Sequence, residues 1–207
     1  MSLSNNVPVD ELFYLKNAKE GRAVKLLKGR YSPPLQVYNR GQPLSFGVKG
    51  PLAGGLPSFR TLTQVTWPEG NVDEVAVLIS ATGNGADLQL SGLAVENSIR
   101  VFPLRSIRVM NFSGQKLFAQ IGSFRGDLAA GPASAIPYPE VKTEPGRTGR
   151  FKVGIGRLVE SGDSEIVFSG WADAWPTART LLLILPPPTG SDKPEVVFVV
   201  DTPPPPR

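Results

Sequence analysis

The sequence predicts an all-β protein built as two tandem immunoglobulin-like β-sandwich units from a diverged internal repeat. Three observations predict it. Gly and Pro supply 22 and 21 of the 207 residues and punctuate the chain at short intervals, which favours many short elements over long helices. Between them lie short runs rich in β-branched and aromatic residues. Several of these runs alternate apolar and polar side chains with a period of two, the pattern of a sheet with one wet face.

The elements follow in order. Runs at 12–17 (LFYLKN), 23–28, 35–40, 44–49, 60–67, 74–81 (EVAVLISA) and 87–93 read as strands of the first unit. Runs at 106–112, 116–122, 133–138, 150–158, 165–171, 179–185 (RTLLLIL) and 195–201 read as strands of the second. In the 60–67 run, Leu62, Gln64 and Thr66 point one way, and Thr61, Thr63, Val65 and Trp67 the other. Phe151, Val153 and Ile155 alternate with Lys152 and Gly154. The continuously apolar runs 74–81 and 179–185 are expected to be central and covered on both faces. Residues 10–28 have partly helical spacing at Leu12, Leu15, Val24 and Leu27. Gly21 interrupts it and the pair Phe13 and Tyr14 prefers extended chain, so strand is the reading taken. Turns are expected at 82–85 and 161–163, where Gly and Asn tolerate positive φ. The prolines at 33–34 and 186–188 cannot donate to a ladder, so each pair or triplet should end a strand. The expected layout is a flexible N-terminus (1–10), two sandwich units (11–97 and 98–201) and a Pro-rich tail (202–207) in extended polyproline form.

The repeat rests on two alignments. Asn17 and Asn111 each close an apolar strand before a short break and a second strand. Trp67 and Trp171 each end a strand, followed by a polar turn containing Pro and then the most apolar strand of that half. The two pairs are offset by different lengths, so the second copy carries insertions. Seven short strands in about 90–100 residues is the size of an immunoglobulin-like unit. The alternative is one larger pseudo-symmetric sandwich.

Composition removes many chemistries. The chain has neither Cys nor His. Disulfides, thiolate nucleophiles, Cys- or His-ligated metals, Ser-His-Asp catalysis and His proton shuttles are all excluded. The net charge of +4 is mild and spread along the chain, so no nucleic-acid partner is expected. No run of 18 apolar residues exists, so no transmembrane segment is expected. The first residues lack a signal-peptide pattern, which leaves a cytoplasmic protein or a mature or trimmed form of an exported one.

Candidate binding residues fall in two places. WADAW sets Trp171 and Trp175 around Asp173, and sugars stack on indole faces; on one strand the two indoles would share a face. The plainer reading is an aromatic pair covering the sandwich edge. Basic residues dominate 16–40, among them Arg22, Lys25 and Lys28, and a second basic group holds Lys142, Arg147, Arg150, Lys152 and Arg157. Both groups could meet an anionic polymer or membrane surface. Their ordinary role is to wet and protect edge hairpins. Asn84, Asp87, Asp163 and Glu165 are oxygen ligands in turns, but without calcium-loop spacing no metal or other cofactor is expected. The G-x-G pairs at 83–85 and 154–156 lack a dinucleotide fingerprint. Asn111, Phe112 and Ser113 form a glycosylation sequon.

The pieces LFYLKN, PLQVYNRGQPLSF, EVAVLIS, FPLRSIRVMNFSGQKLFAQIG and ARTLLLIL span nearly the whole chain. In their order they resemble a group of uncharacterised bacterial exported β-sandwich proteins. The resemblance implies an extracytoplasmic site, in the periplasm or at the cell surface, and no activity; the alternative is a cytoplasmic one. The expected function is non-enzymatic: binding or scaffolding in a surface assembly, or on an anionic envelope polymer or polysaccharide. The partner, protein or polysaccharide, and the oligomeric state are left open. One alternative is a carboxylate-based carbohydrate-active enzyme, which needs two carboxylates ~5–10 Å apart in a cleft. Another is a cytoplasmic regulatory or virion β-protein.

Overall fold

The computed structural model describes residues 11–25, 31–37, 42–52, 58–82, 87–141, 148–159 and 162–203. Among these residues the regular elements are β-strands and no α-helix occurs. Among the described residues no helix is long and apolar enough to cross a membrane. The chain divides into two compact units, Met1–Ser98 and Ile99–Arg207.

The first unit holds β1 (Leu12–Leu15), β2 (Gly21–Val24), β3 (Leu44–Lys49), β4 (Phe59–Val65), β5 (Val75–Thr82) and β6 (Gln89–Glu96). An antiparallel sheet runs β2-β1-β3-β4, and β5 and β6 form an antiparallel pair. Leu12, Leu44, Phe46 and Val65 of the sheet meet Ile79, Leu90 and Ala94 of the pair in one buried cluster. This is a two-layer β arrangement sealed by apolar side chains.

The second unit holds β7 (Ser106–Asn111), β8 (Leu117–Ile121), β9 (Phe124–Leu128), β10 (Gly131–Pro137), β11 (Gly149–Leu158), β12 (Ser164–Ala174), β13 (Arg179–Leu185) and β14 (Glu195–Asp201). They form two four-stranded sheets, β10-β7-β13-β14 and β12-β11-β8-β9. All pairs are antiparallel except β7 with β13, which run parallel. Ile107, Val109, Leu182 and Ile184 of the first sheet share a core with Ala119, Ile121, Phe151, Val153 and Ile155 of the second. The unit is a β-sandwich.

Several expectations are corrected. Residues 35–37 are not in a strand, and 38–40 lie outside the described residues. The prolines at 33–34 precede this run, and Val37 packs on the first core without a ladder partner. Of the run at 23–28, Ala23 and Val24 belong to β2, Lys25 follows the strand, and 26–28 lie outside the described residues. Strand β9, FRGDL, was not expected, because Gly126 and Asp127 depress its propensity. Its cause is the preceding turn. Gly122 has φ 58° and joins Ile121 to its cross-strand partner Phe124 through a two-residue loop, the geometry of a tight hairpin. The apolar run in β13 is buried at every position, as its composition predicts, whereas the run in β5 is only partly covered.

The two halves do not repeat in pairing. Asn17 and Asn111 do the same local work. Asn17 Oδ1 accepts from the backbone of Lys19 and Glu20, and Asn111 Oδ1 accepts from Ser113 N. After Asn17 the chain turns back as a hairpin, β1 against β2. After Asn111 it crosses to the other layer, where β8 pairs with β9 and β11. The resemblance of the halves is therefore one of turn chemistry and composition, with the last hairpins, β5–β6 and β13–β14, the part they share.

Candidate functional site

The outer face of the sheet β12-β11-β8-β9 brings the sequence-flagged WADAW residues together with partners the sequence did not assign. Phe151, Val153 and Ile155 of β11 point into the core, so Arg150, Lys152 and Gly154 point outward. Strand pairing then sets rows across the face. Asp173 sits opposite Arg150, and Trp171 opposite Lys152. The next row reads Ser169, Gly154, Gln120 and Arg125, one residue from each strand. The row after that reads Ile166, Gly156, Phe118 and Asp127. A register shift at Ile155/Gly156 lets Ile166 stand on this face.

Trp171 is 58% exposed and stands clear of the core. The Arg150 guanidinium lies over its ring, 5.9 Å from the centroid, and Arg150 Nε is 3.3 Å from Asp173 Oδ1. Gly154 has open space above it: a Cβ built there would find nothing nearer than 3.9 Å. Gly156, in contrast, is roofed by the Phe118 ring, which would be 2.2 Å from such a Cβ. Gly154 is thus a bare position in the row between that of Trp171 and that of Phe118. Leu158 and Ile166 extend the face as exposed apolar residues.

The other sequence-flagged residues lie elsewhere. Trp175 is exposed but lies past the end of β12 at Ala174, so the one-strand argument for a shared face fails. Trp171 stands on the edge strand β12 of its sheet, and both indoles are exposed. Arg22 lies on the edge strand β2 of the first unit, and Lys25 follows that strand; both are exposed. Lys28 and the turn Gly at 83 and 85 lie outside the described residues, as do Asn84, Lys142 and Arg147. The sequon is closed to modification in the folded state. Asn111 is 2% exposed and its amide donates to the carbonyls of Gln115 and Leu128.

Among the described residues of β12, no second carboxylate lies near Asp173. Glu165, the next acid back along β12, is eight positions from Asp173, roughly 26 Å at the strand rise. Glu165 is engaged by Arg157, whose hydrogen bond is the main reason its carboxyl is held below the ordinary carboxylate range. Among the described residues no group of three or more acidic side chains is placed to hold a metal ion. A concavity of about 520 Å³ lies in the first unit beside Trp67. Gln42, Thr66 and Asn71 line it with no ionisable side chain, and the Trp67 indole N–H is already donated to Val72 O. No protein-family model matches the chain, and no curated protein matches it.

Proposed function

We propose that this protein is a non-enzymatic polysaccharide-binding β-sandwich protein that acts outside the cytoplasm. The observation that carries the reading is the exposed Trp171 indole beside the bare position at Gly154, on a rigid sheet face. A sugar ring presents an apolar C–H face that stacks on an indole, and its hydroxyls reach hydrogen-bonding side chains such as Ser169 and Gln120. A strand glycine marks a place where a ligand can approach the backbone. The extracytoplasmic site follows from this ligand class and from the resemblance to exported β-sandwich proteins. Among the described residues Asp173 is the one carboxylate beside the indole, and this speaks for binding over hydrolysis.

The finer architectural expectation, immunoglobulin-like units in tandem, is replaced in this proposal, for the second unit, by a sandwich of another strand order. An immunoglobulin unit keeps its first two strands in one sheet. Here β7 and β8 belong to opposite sheets and β7 runs parallel to β13.

Affinity electrophoresis against a panel of soluble polysaccharides tests the function. The wild type should be retarded by at least one of them. Trp171→Ala should abolish the shift with an unchanged melting temperature, since the indole is exposed. Gly154→Val should also lose binding while remaining as stable or gaining up to about 1 kcal/mol, because Val suits a strand interior better than Gly. Absence of any retardation, or equal retardation of Trp171→Ala, rejects the reading.

A further inference from the structure

The charges around Trp171 specify the sugar further. Arg150 meets Asp173 with Nε 3.3 Å from Oδ1, and its side chain has no second ion-pair partner and no hydrogen bond among the described residues. Lys152, opposite Trp171, and Arg125, in the next row, have no ion pair among the described residues. Asp173 lies one row from the indole, while Asp127 lies two rows away and on the far edge strand.

We propose that the face takes a polyuronate, a polysaccharide whose sugars bear carboxylates, and that Asp173 stands in for one of those carboxylates in the free protein. This rests on the polysaccharide reading of the same face. The Arg150 guanidinium is a planar fork that matches a carboxylate through two parallel hydrogen bonds. A uronate stacked on the indole face that Arg150 leaves open lies beside the guanidinium, which is 5.9 Å from the ring centroid, and turns its carboxylate to that fork. Asp173 competes for the same cation. The Arg150 and Asp173 side chains are 63% and 45% exposed, so their pairing is weak and exchange is easy. Lys152 and Arg125 then face carboxylates further along the chain and draw the polymer in at low salt.

Titration calorimetry with polygalacturonate and with its fully methyl-esterified form tests this, since esterification keeps the backbone and removes the charge. The wild type should bind polygalacturonate at least about tenfold more tightly than the ester, and added salt should narrow the difference. Asp173→Asn should tighten polygalacturonate binding about two- to fivefold by freeing Arg150, and leave the ester unaffected. Arg150→Gln should bring polygalacturonate down to the level of the ester. Equal binding of the two polymers overturns the acidic-sugar assignment while leaving the polysaccharide reading intact. Binding of neither, together with no retardation by any panel polysaccharide, removes both. Weakened or unchanged binding by Asp173→Asn overturns the stand-in role. Dextran sulfate binding as tightly as polygalacturonate at equal salt overturns the carboxylate assignment in favour of general attraction to polyanions.

Discussion

At the scale of single residues, the most consequential side chain is one the sequence hid. Arg179 opens the apolar run of β13 and is 1% exposed. Its Nε donates to Asp201 Oδ2 at 2.7 Å, its terminal nitrogen donates to the Phe102 carbonyl, and its guanidinium lies 4.7 Å from the Phe102 ring centroid. Removing one partner of a buried pair leaves the other charge uncompensated. Arg179→Ala should therefore cost about 3–5 kcal/mol, measured as a shift in urea midpoint. An Arg179→Ala variant with a wild-type midpoint would show that Asp201, 14% exposed, is solvated well enough to stand alone. The sequence showed a charged residue at the start of a strand, where solvent exposure is the ordinary outcome. Burial of the guanidinium depends on Asp201 and Phe102, both distant in sequence. Trp171 and Asp173 were legible because WADAW is a local pattern. Arg150 was legible only as a basic residue, since its place beside the indole comes from the β11–β12 register, which composition does not encode.

At the scale of elements, most strands were legible from period and composition; β3, β13 and β14 coincide with their runs. The failures have physical causes. Strand β9 is made by its hairpin rather than its own propensity, and 35–37 has propensity without a partner. The ends of elements are tied by a device that also went unread. Arg157 near the end of β11 donates Nε to Glu165 on β12 and a terminal nitrogen to the Asp192 carbonyl in the turn before β14. Its guanidinium also pairs with the Asp192 carboxylate, and Lys193 Nζ lies 3.4 Å from Glu165. Hydrogen bonds from Arg157 are the first cause holding Glu165 and Asp192 below their ordinary values of 4.5 and 3.8. A carboxyl with a lower pKa folded than unfolded adds stability above its unfolded value and loses it as pH falls through the folded one. The same bonds raise Arg157, which stays charged throughout. The stability gap between wild type and Arg157→Gln should thus be full above about pH 5 and close as pH falls below about 4. Urea midpoints at pH 7, 5 and 3 measure it. A gap undiminished at pH 3 would assign the effect of Arg157 to packing of its stem rather than to its charge.

At the scale of the whole molecule, two units of similar composition follow different topologies, and the difference decides how each must fold. In the first unit, β1 and β2 pair across a short turn that Asn17 organises, so part of the sheet forms locally. In the second unit, β7 cannot complete its pairing until β13 arrives. Ile107 pairs with Thr180 and Met110 with Leu183, with five strands lying between them in the chain. Loop closure over such a distance must be met before the parallel pairing contributes anything, and non-local β pairing of this kind folds in roughly milliseconds to seconds. Strand β13 is also the centre of the layer: it joins β7 to β14, every residue in it is buried, and Leu182 and Ile184 face the sandwich core. A chain ending at Ala178 should therefore lose the folded second unit as a whole rather than two strands of it. It would expose the inner face of β8 and β11, where Ala119, Ile121, Val153 and Ile155 would have lost Leu182 and Ile184 opposite them. Near-UV circular dichroism from Tyr138 and Phe151, which pack 5.3 Å apart in that core, reports the loss, and a hydrophobic dye reports the exposed face. Retained near-UV signal in the truncated chain would mean that β7 and β10 alone can close the second layer, and that the parallel pair is an addition to the sandwich rather than its keystone.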